Sequence, residues 1–199
     1  MSLLDLAGLL PQSPILVSGP VRLRPPEVED FPAWTALREA SRRHLTAWEP
    51  EWRADEMTAK AFRTRLRAWR REMRQGGAVP LLIIRRSDDA LIGGVTLTNI
   101  RLGASRSASI GYWIGKPFVR NGYARAAISA VLEHAFTTLG LNRLEAACQP
   151  ENIASRTLLE TVGFVNEGIA RDYLFINGVW RDHLLFAITA AEFTHRRAI

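Results

Sequence analysis

Cysteine is almost missing from this sequence: Cys148 is the single one in 199 residues. No intramolecular disulfide can form, and no cysteine-rich metal site can be built. Cys148 ends the apolar run LEAAC, where a buried and inert thiol is the expected role. Histidine is scarce too. His44, His134, His183 and His195 share no close ligand spacing, so no metal is expected. Long apolar runs are absent. The opening segment MSLLDLAGLLPQSPILVSGP is apolar, but prolines break it and it lacks the basic stretch of a secretory signal. These absences lead to the expectation of a cytoplasmic protein with no membrane partner.

No internal repeat, low-complexity stretch or linker divides the chain. A chain of this length most simply forms one domain burying roughly 70% of its unfolded surface. Residues 1–16 read as an N-terminal arm, 17–190 as the domain and 191–199 as a C-terminal tail. Apolar residues make up 47% and charged residues 23%, which is ordinary globular composition. The net charge of +6 favours an anionic partner such as a phosphorylated cofactor, RNA or an acidic surface. Much of the excess lies in KAFRTRLRAWRREMR, Lys60 to Arg74, whose ordinary reading is a solvated helix face.

Periodicity and punctuation give the element order. VRLR is a short strand stopped by Pro25 and Pro26. Asp30 is placed to cap a helix, FPAWTALREASRRHL, with Pro32 in its first turn. Thr58 caps a second helix, in which Phe62, Leu66, Trp69 and Met73 recur at helical spacing until Gly76 and Gly77 end it. AVPLLIIRR and ALIGGVTLTNI read as a hairpin joined at SDDA. SASIGYWIG is a further strand in which Gly111 suggests a bulge or close backbone approach. A helix with Ala127, Ile128, Val131 and Phe136 inward closes near Gly140. NRLEAACQ is a strand and ENIASRTLLETVG a short helix. The last two strands flank Asn177-Gly178, a strong two-residue hairpin signal. The expected class is mixed α/β in the order β-αα-βββ-α-β-α-ββ, with about seven strands and about four helices.

The stretch IGKPFVRNGYARAA follows a strand with a Gly-punctuated basic loop and starts an Ala-rich helix at once. It is either a plain strand-to-helix turn or a phosphate cradle, in which successive N–H groups and the helix dipole hold an anion.

IGYWIGKPFVRNGYARAA, LNRLEAACQPENIASRTLLETVGFVNEG and the closing NG hairpin with WRDHLLFAIT together resemble the GNAT N-acetyltransferase superfamily. Within it they are similar to the Rim-type ribosomal-protein-alanine N-acetyltransferases, to which HLTAWEP adds a further likeness. The resemblance covers roughly residues 17–190 and rests on the order and spacing of the motifs. It implies a central mixed, mostly antiparallel sheet and acetyl-coenzyme A as co-substrate, with no metal.

What the resemblance implies for single residues follows the motifs. The family's phosphate loop, Gln/Arg-x-x-Gly-x-Gly/Ala, maps onto Val119, Arg120, Asn121, Gly122, Tyr123 and Ala124. Gly122 and Ala124 fit. Val119 departs, and Arg120 either supplies the missing charge from another angle or faces solvent. Trp113, Ile114 and Gly115 correspond to the strand that pairs with the pantetheine arm. Asn152 corresponds to a pantetheine contact, and Ser155 to the donor of a proton to the coenzyme A sulfur; the plainer alternative makes them a helix cap and a first-turn residue. For the base, Glu145 in a mainly apolar strand is the candidate, where a carboxylate is costly without work or partner, and Glu167 is the other. Trp48 and Glu49, with Glu51 and Trp52, are expected on the acceptor side. Arg171, Asp172, Arg181 and Asp182 of the last hairpin are further contributors among which nothing selects.

The reaction implied is direct attack by an amine on the thioester, since no nucleophile–base pair for an acyl-enzyme is present. The acceptor expected is the α-amino group of a protein, a ribosomal protein by resemblance. Two alternatives stand beside it: acetylation of a small amine or aminoglycoside, and a non-catalytic ribosome- or RNA-binding protein on the same scaffold. No aromatic platform accompanies the arginines, so no direct nucleic-acid partner is firmly implied. Monomer and homodimer remain open.

Overall fold

The structure, a computed structural model, describes residues 14–197. Most of the N-terminal arm expected over residues 1–16 lies outside the described residues. The sheet begins with β1 (Leu16–Ser18) and β2 (Val21–Arg24), then β3 (Val79–Arg85), β4 (Leu91–Arg101), β5 (Ser107–Ile114), β6 (Arg143–Cys148), β7 (Val165–Ile176) and β8 (Val179–Thr189). The helices are α1 (Phe31–Ala40), α2 (Arg42–Leu45), α3 (Ala59–Arg74), α4 (Tyr123–Glu133), α5 (Ile153–Val162) and α6 (Ala190–Arg197). The strands form one sheet in the order β1-β2-β3-β4-β5-β6-β8-β7. Every neighbouring pair is antiparallel except β5–β6. The mixed, mostly antiparallel class is as expected. The eighth strand is β1, three residues too short to register as a pattern, joined to β2 through Gly19-Pro20.

Strand β3 shows how the core is divided. Leu81 and Ile83 enter one cluster with Val95, Ile128, Val131, Leu144 and Leu159, under α4 and α5. Leu82 and Ile84 enter a second with Trp34, Leu37, Phe62 and Leu91, under α1 and α3. Alternate side chains of a strand point to opposite faces, so a run buried throughout means a sheet covered on both sides. Of the residues expected inward, Phe62, Leu66, Ala127, Ile128 and Val131 are each at most 2% exposed, while Trp69, Met73 and Phe136 are half-buried. Thr58 caps α3 by accepting from the amide of Ala61 at 3.2 Å.

Three local expectations change. Asp30 makes no cap bond to α1; its carboxylate accepts from the Glu27 amide at 2.7 Å and pairs with Arg24 at 2.5 Å. The carboxylate is already filled by the charged Arg24 and by the Glu27 amide of the turn before it, so it turns away from the α1 amides. The first helix stops at Ala40, because Ser41 leaves helical geometry and its Oγ accepts from the Lys116 amide at 2.8 Å. Gly111 lies in unbroken register with Thr96, and a Cβ there would meet nothing within 4 Å. The register break in this ladder falls at Thr98/Arg101 instead. At the C-terminal end, residues 190–197 form α6, with Phe193 packed on Phe136 at 5.3 Å between ring centroids.

Candidate active site

The site begins where two strands part. β5 and β6 pair only from Ser107–Arg143 to Ser109–Glu145. Beyond that point β5 runs on to Ile114 against β4 alone, while Ala146 to Cys148 pair with β8. Successive residues of a strand turn their N–H and C=O to opposite edges. The Gly115 amide donates to Ile92 O at 2.9 Å, towards β4. The backbone groups of Tyr112 and Ile114 therefore turn to the gap, while those of Trp113 and Gly115 turn away from it.

The loop at the end of β5 turns free backbone amides outward. A single 3₁₀ turn, Lys116–Phe118, leads to Arg120 and Gly122, both left-handed at φ 63° and 75°. Gly122 is the N-cap of α4 and offers no side chain to its amides. The first intrahelical bond is from Ala126 N to Gly122 O, so Tyr123, Ala124 and Arg125 begin the helix with unbonded N–H groups. Asn121 braces the turn by donating to Val119 O at 2.9 Å and Phe118 O at 3.3 Å. Lys116, Arg120 and Arg125 are exposed around it. A peptide backbone here can cradle a phosphate; the cations add a field of the right sign.

The opposite wall is the start of α5. Asn152 Oδ1 accepts from the Ser155 amide at 3.1 Å, which is the cap the sequence allowed. Ser155 Oγ lies 2.8 Å from the hydroxyl of Tyr112, which also donates to Ser155 O at 3.4 Å. Burial pushes the Tyr112 phenol up to about 12, so it holds its proton at neutral pH. The Cys148 thiol beside it is raised by burial and stays protonated, as a buried, inert cysteine should. Tyr112 and Trp113 are adjacent on the strand and so face opposite sides, and nothing local marks Tyr112 as the one that meets α5.

Glu145 and Glu167 share one arginine. Arg143 Nε lies 2.9 Å from Glu145 Oε1, and its two terminal nitrogens clasp Glu167. The guanidinium holds the Glu167 carboxyl below the usual carboxylate range. Glu145 is half exposed. Since Leu144, Ala146 and Cys148 point into the α4–α5 core, Glu145 lies on the other face of the sheet, with α1 and Trp113.

That face carries a cluster the sequence reading missed. Arg38 is 5% exposed, and its guanidinium lies 5.3 Å from the Trp34 ring, 4.4 Å from Trp52 and 5.2 Å from Trp113. Its carboxylate partner is Glu49, at 2.5 Å, which also accepts from Trp52 Nε1 at 2.8 Å. An ammonium group reaching Glu49 must therefore compete with Arg38. Trp48 is 37% exposed and open to a ligand. The loop carrying both is held from the other side, where Asn177 Nδ2 of the last hairpin donates to Thr46 O. The signal available was Arg38 itself, four residues after Trp34 on a buried helix face and so in need of a carboxylate. Gly94 makes the space: a Cβ there would come within 2.6 Å of Trp113 Nε1.

The acetyltransferase (GNAT) domain family matches residues 21–165. The chain belongs to that family. It is 32% identical over 172 residues to the [Ribosomal protein uS5]-alanine N-acetyltransferase of Escherichia coli, covering 85% of this chain and 89% of that one. Among solved structures, Mycobacterium smegmatis RimJ in complex with CoA-disulfide is 37% identical with a TM-score of 0.85, covering 96% of this chain and 95% of that one. The ribosomal-protein-S5-alanine acetyltransferase from Vibrio fischeri is 26% identical with a TM-score of 0.83, covering 90% and 98%. The GNAT fold and acetyltransferase class follow. No helix among the described residues is long and apolar enough to cross a membrane, and no group of three or more His, Cys, Asp or Glu there is arranged to hold a metal.

Proposed function

We propose that this GNAT protein transfers the acetyl group of acetyl-coenzyme A to the N-terminal α-amino group of a protein, with a ribosomal protein as the substrate class. The observation that carries the reading is the parting of β5 from β6 after Ser109 and Glu145, with an amide-lined loop at its end and the Tyr112–Ser155 contact across it. Acetyl-coenzyme A supplies an acyl group already activated as a thioester. The chain's task is to hold it, accept its charge and move protons.

The backbone of Tyr112 and Ile114 offers a free strand edge to the pantetheine arm, and the amides of Tyr123 to Arg125 offer donors to the pyrophosphate. A backbone amide in this gap stabilises negative charge on the acyl oxygen as the amine adds. Ser155 gives a proton to the departing sulfur and regains one from solvent by way of the Tyr112 hydroxyl, which ends neutral, while the proton lost by the amine leaves to Glu145 or water. Asn152 keeps Ser155 in place through the cap.

The acceptor follows from the base. Glu145 is paired with Arg143 and half in solvent, without the burial of a dedicated general base. An α-amino group, with pKa about 7.7–8.0, is already about a tenth or more neutral at pH 7. A lysine, near 10.4, is neutral in only about one part in two thousand. A site with no stronger base suits the terminal amine. The relatives' names, given above, point to the same class.

Thiol release from acetyl-coenzyme A, measured against free-terminus peptides, α-blocked lysine peptides, polyamines and aminoglycosides, tests the reading. Turnover is expected with free termini. Turnover confined to α-blocked peptides or small amines would overturn it.

A further inference from the structure

The outer face of α3 is a uniformly basic surface. Lys60, Arg63, Arg67, Arg70, Arg71 and Arg74 are all exposed. At 3.6 residues per turn they fall within an arc of about 100°, along a stripe about 21 Å long. The helix contains one acidic residue, Glu72, and it lies outside that arc, about 100° beyond Arg71.

These cations lack carboxylate partners among the described residues, as do Arg43, Arg101, Arg106, Arg120, Arg125, Arg171 and Arg181 elsewhere, but here six of them are gathered on one helix face. Arg22, Arg24, Arg38, Arg42, Arg53, Arg65, Arg85, Arg143 and Arg156 each form a salt bridge. Among the described residues none of the six on the stripe does. The contact made there is Arg67 donating to its own helix neighbour Thr64 at 3.0 Å. Packing explains little of it either, Arg70 alone of the six lining a recess, together with Glu27. Phe62 and Leu66 are buried, Arg65 turns inward to Glu56 and Trp34, and Trp69 and Met73 face a recess with Pro25 and Pro26. Like charges three and four residues apart on a helix repel. Their mutual proximity is a standing cost that a polyanion would relieve.

We propose that this stripe binds the phosphodiester backbone of a nucleic-acid duplex without reading its sequence. The chemistry separates this partner from an acidic protein. Protein interfaces centre on apolar and aromatic anchors with charge depleted from the middle, whereas the stripe has charge throughout and no exposed aromatic. Backbone recognition needs only what is present: arginine and lysine at short, regular spacing. The same lack of aromatics argues against single strands, which are held largely by base stacking. The surface is separate from the acetyl-transfer site, and the inference does not depend on the acceptor proposed for that site.

The experiment is fluorescence anisotropy with the full chain and labelled 20-base-pair RNA and DNA duplexes of unrelated sequences. A matching single strand and a poly-glutamate peptide complete the set, across a salt series. With four to six phosphates neutralised, log affinity should fall against log salt with a slope of about −4 to −5 on duplexes. That is roughly a 250- to 1,000-fold loss between 50 and 200 mM salt. The triple variant R63E/R67E/R71E should bind at least ~10-fold more weakly with a shallower slope, while its acetylation of a peptide substrate is unchanged. Equal binding of RNA and DNA supports backbone recognition, and preference for RNA supports it with RNA as the source. A flat salt response, undiminished binding by the triple variant, or tighter binding of single strand or poly-glutamate than of duplex would each overturn it.

Discussion

The hydroxyl of Tyr112 sits 2.8 Å from Ser155 Oγ, joining two residues that are 43 apart in the chain across the opening between β5 and α5. It gives Ser155 a neutral, half-buried partner. If Ser155 is the proton donor, removing that partner slows chemistry without loosening the cofactor. Tyr112→Phe is expected to lower kcat by roughly 10-fold and Ser155→Ala by roughly 100-fold, within the range for general acids. Steady-state kinetics should show KM for acetyl-coenzyme A changed less than about 3-fold in both, since the interaction acts on the transition state. Matched rises in KM and falls in kcat would count against the assignment.

The same tyrosine makes an alkaline prediction. Its pKa is raised from 10.0 to about 12 by burial. Between those values the unfolded chain gives up the proton that the folded chain retains. Stability from this group is thus complete below pH 10 and falls as pH rises towards 12. Urea unfolding of the wild type should lose about 2 kcal/mol over that window from this residue. Tyr112→Phe should lack that part of the decline.

Glu49 is positioned to be structural before it is anything else. Glu49→Gln leaves the Arg38 guanidinium buried among Trp34, Trp52 and Trp113 without its counter-charge. Removing one partner of such a pair costs about 3 kcal/mol. Thermal unfolding should fall by about 6–12 °C for a chain of this size. An unchanged melting temperature with a raised acceptor KM would mean instead that Glu49 mainly contacts substrate.

Gly122→Ala separates backbone strain from ligand contact. The position has φ 75°, and an added Cβ would meet no protein atom within 4 Å. Stability should therefore drop only by about 1–2 kcal/mol, the cost of left-handed geometry. Because the methyl group would occupy the proposed phosphate approach, the dissociation constant for coenzyme A, measured by calorimetry, should rise at least ~10-fold, or about 1.4 kcal/mol. Unchanged affinity would remove the loop from the proposed cofactor site.

The two carboxylates on Arg143 are expected to behave differently. Glu167 is held below the ordinary carboxylate range by that guanidinium, so it is a poor proton acceptor near neutrality. Glu167→Gln should leave kcat/KM within about 3-fold of the wild type, whereas Glu145→Gln should lower it by about 10-fold. The reverse pattern would transfer the base role to Glu167.

Much of this molecule was legible in the sequence because the signals were local. The α3 stripe of Phe62, Leu66, Trp69 and Met73, the Thr58 and Asn152 caps, and the Asn177-Gly178 turn each depend on backbone geometry within a few residues. Such rules hold whatever the rest of the chain does. Asp30 marks where they end. Its sequence context says cap, but Arg24, brought alongside by the turn at Pro25 and Pro26, claims the carboxylate.

What sequence periodicity alone determined was the set of elements and their inward faces; motif order added the family resemblance. Tertiary structure decided which side chains meet: Tyr112 with Ser155, Arg38 with Glu49, and Arg143 with both Glu145 and Glu167. It also decided that β5 should leave β6 after three paired residues. The physical reason is range. Propensity and periodicity are properties of neighbours along the backbone, whereas a hydrogen bond or ion pair between distant residues exists only once strand order, register and helix placement have put their atoms within a few ångströms.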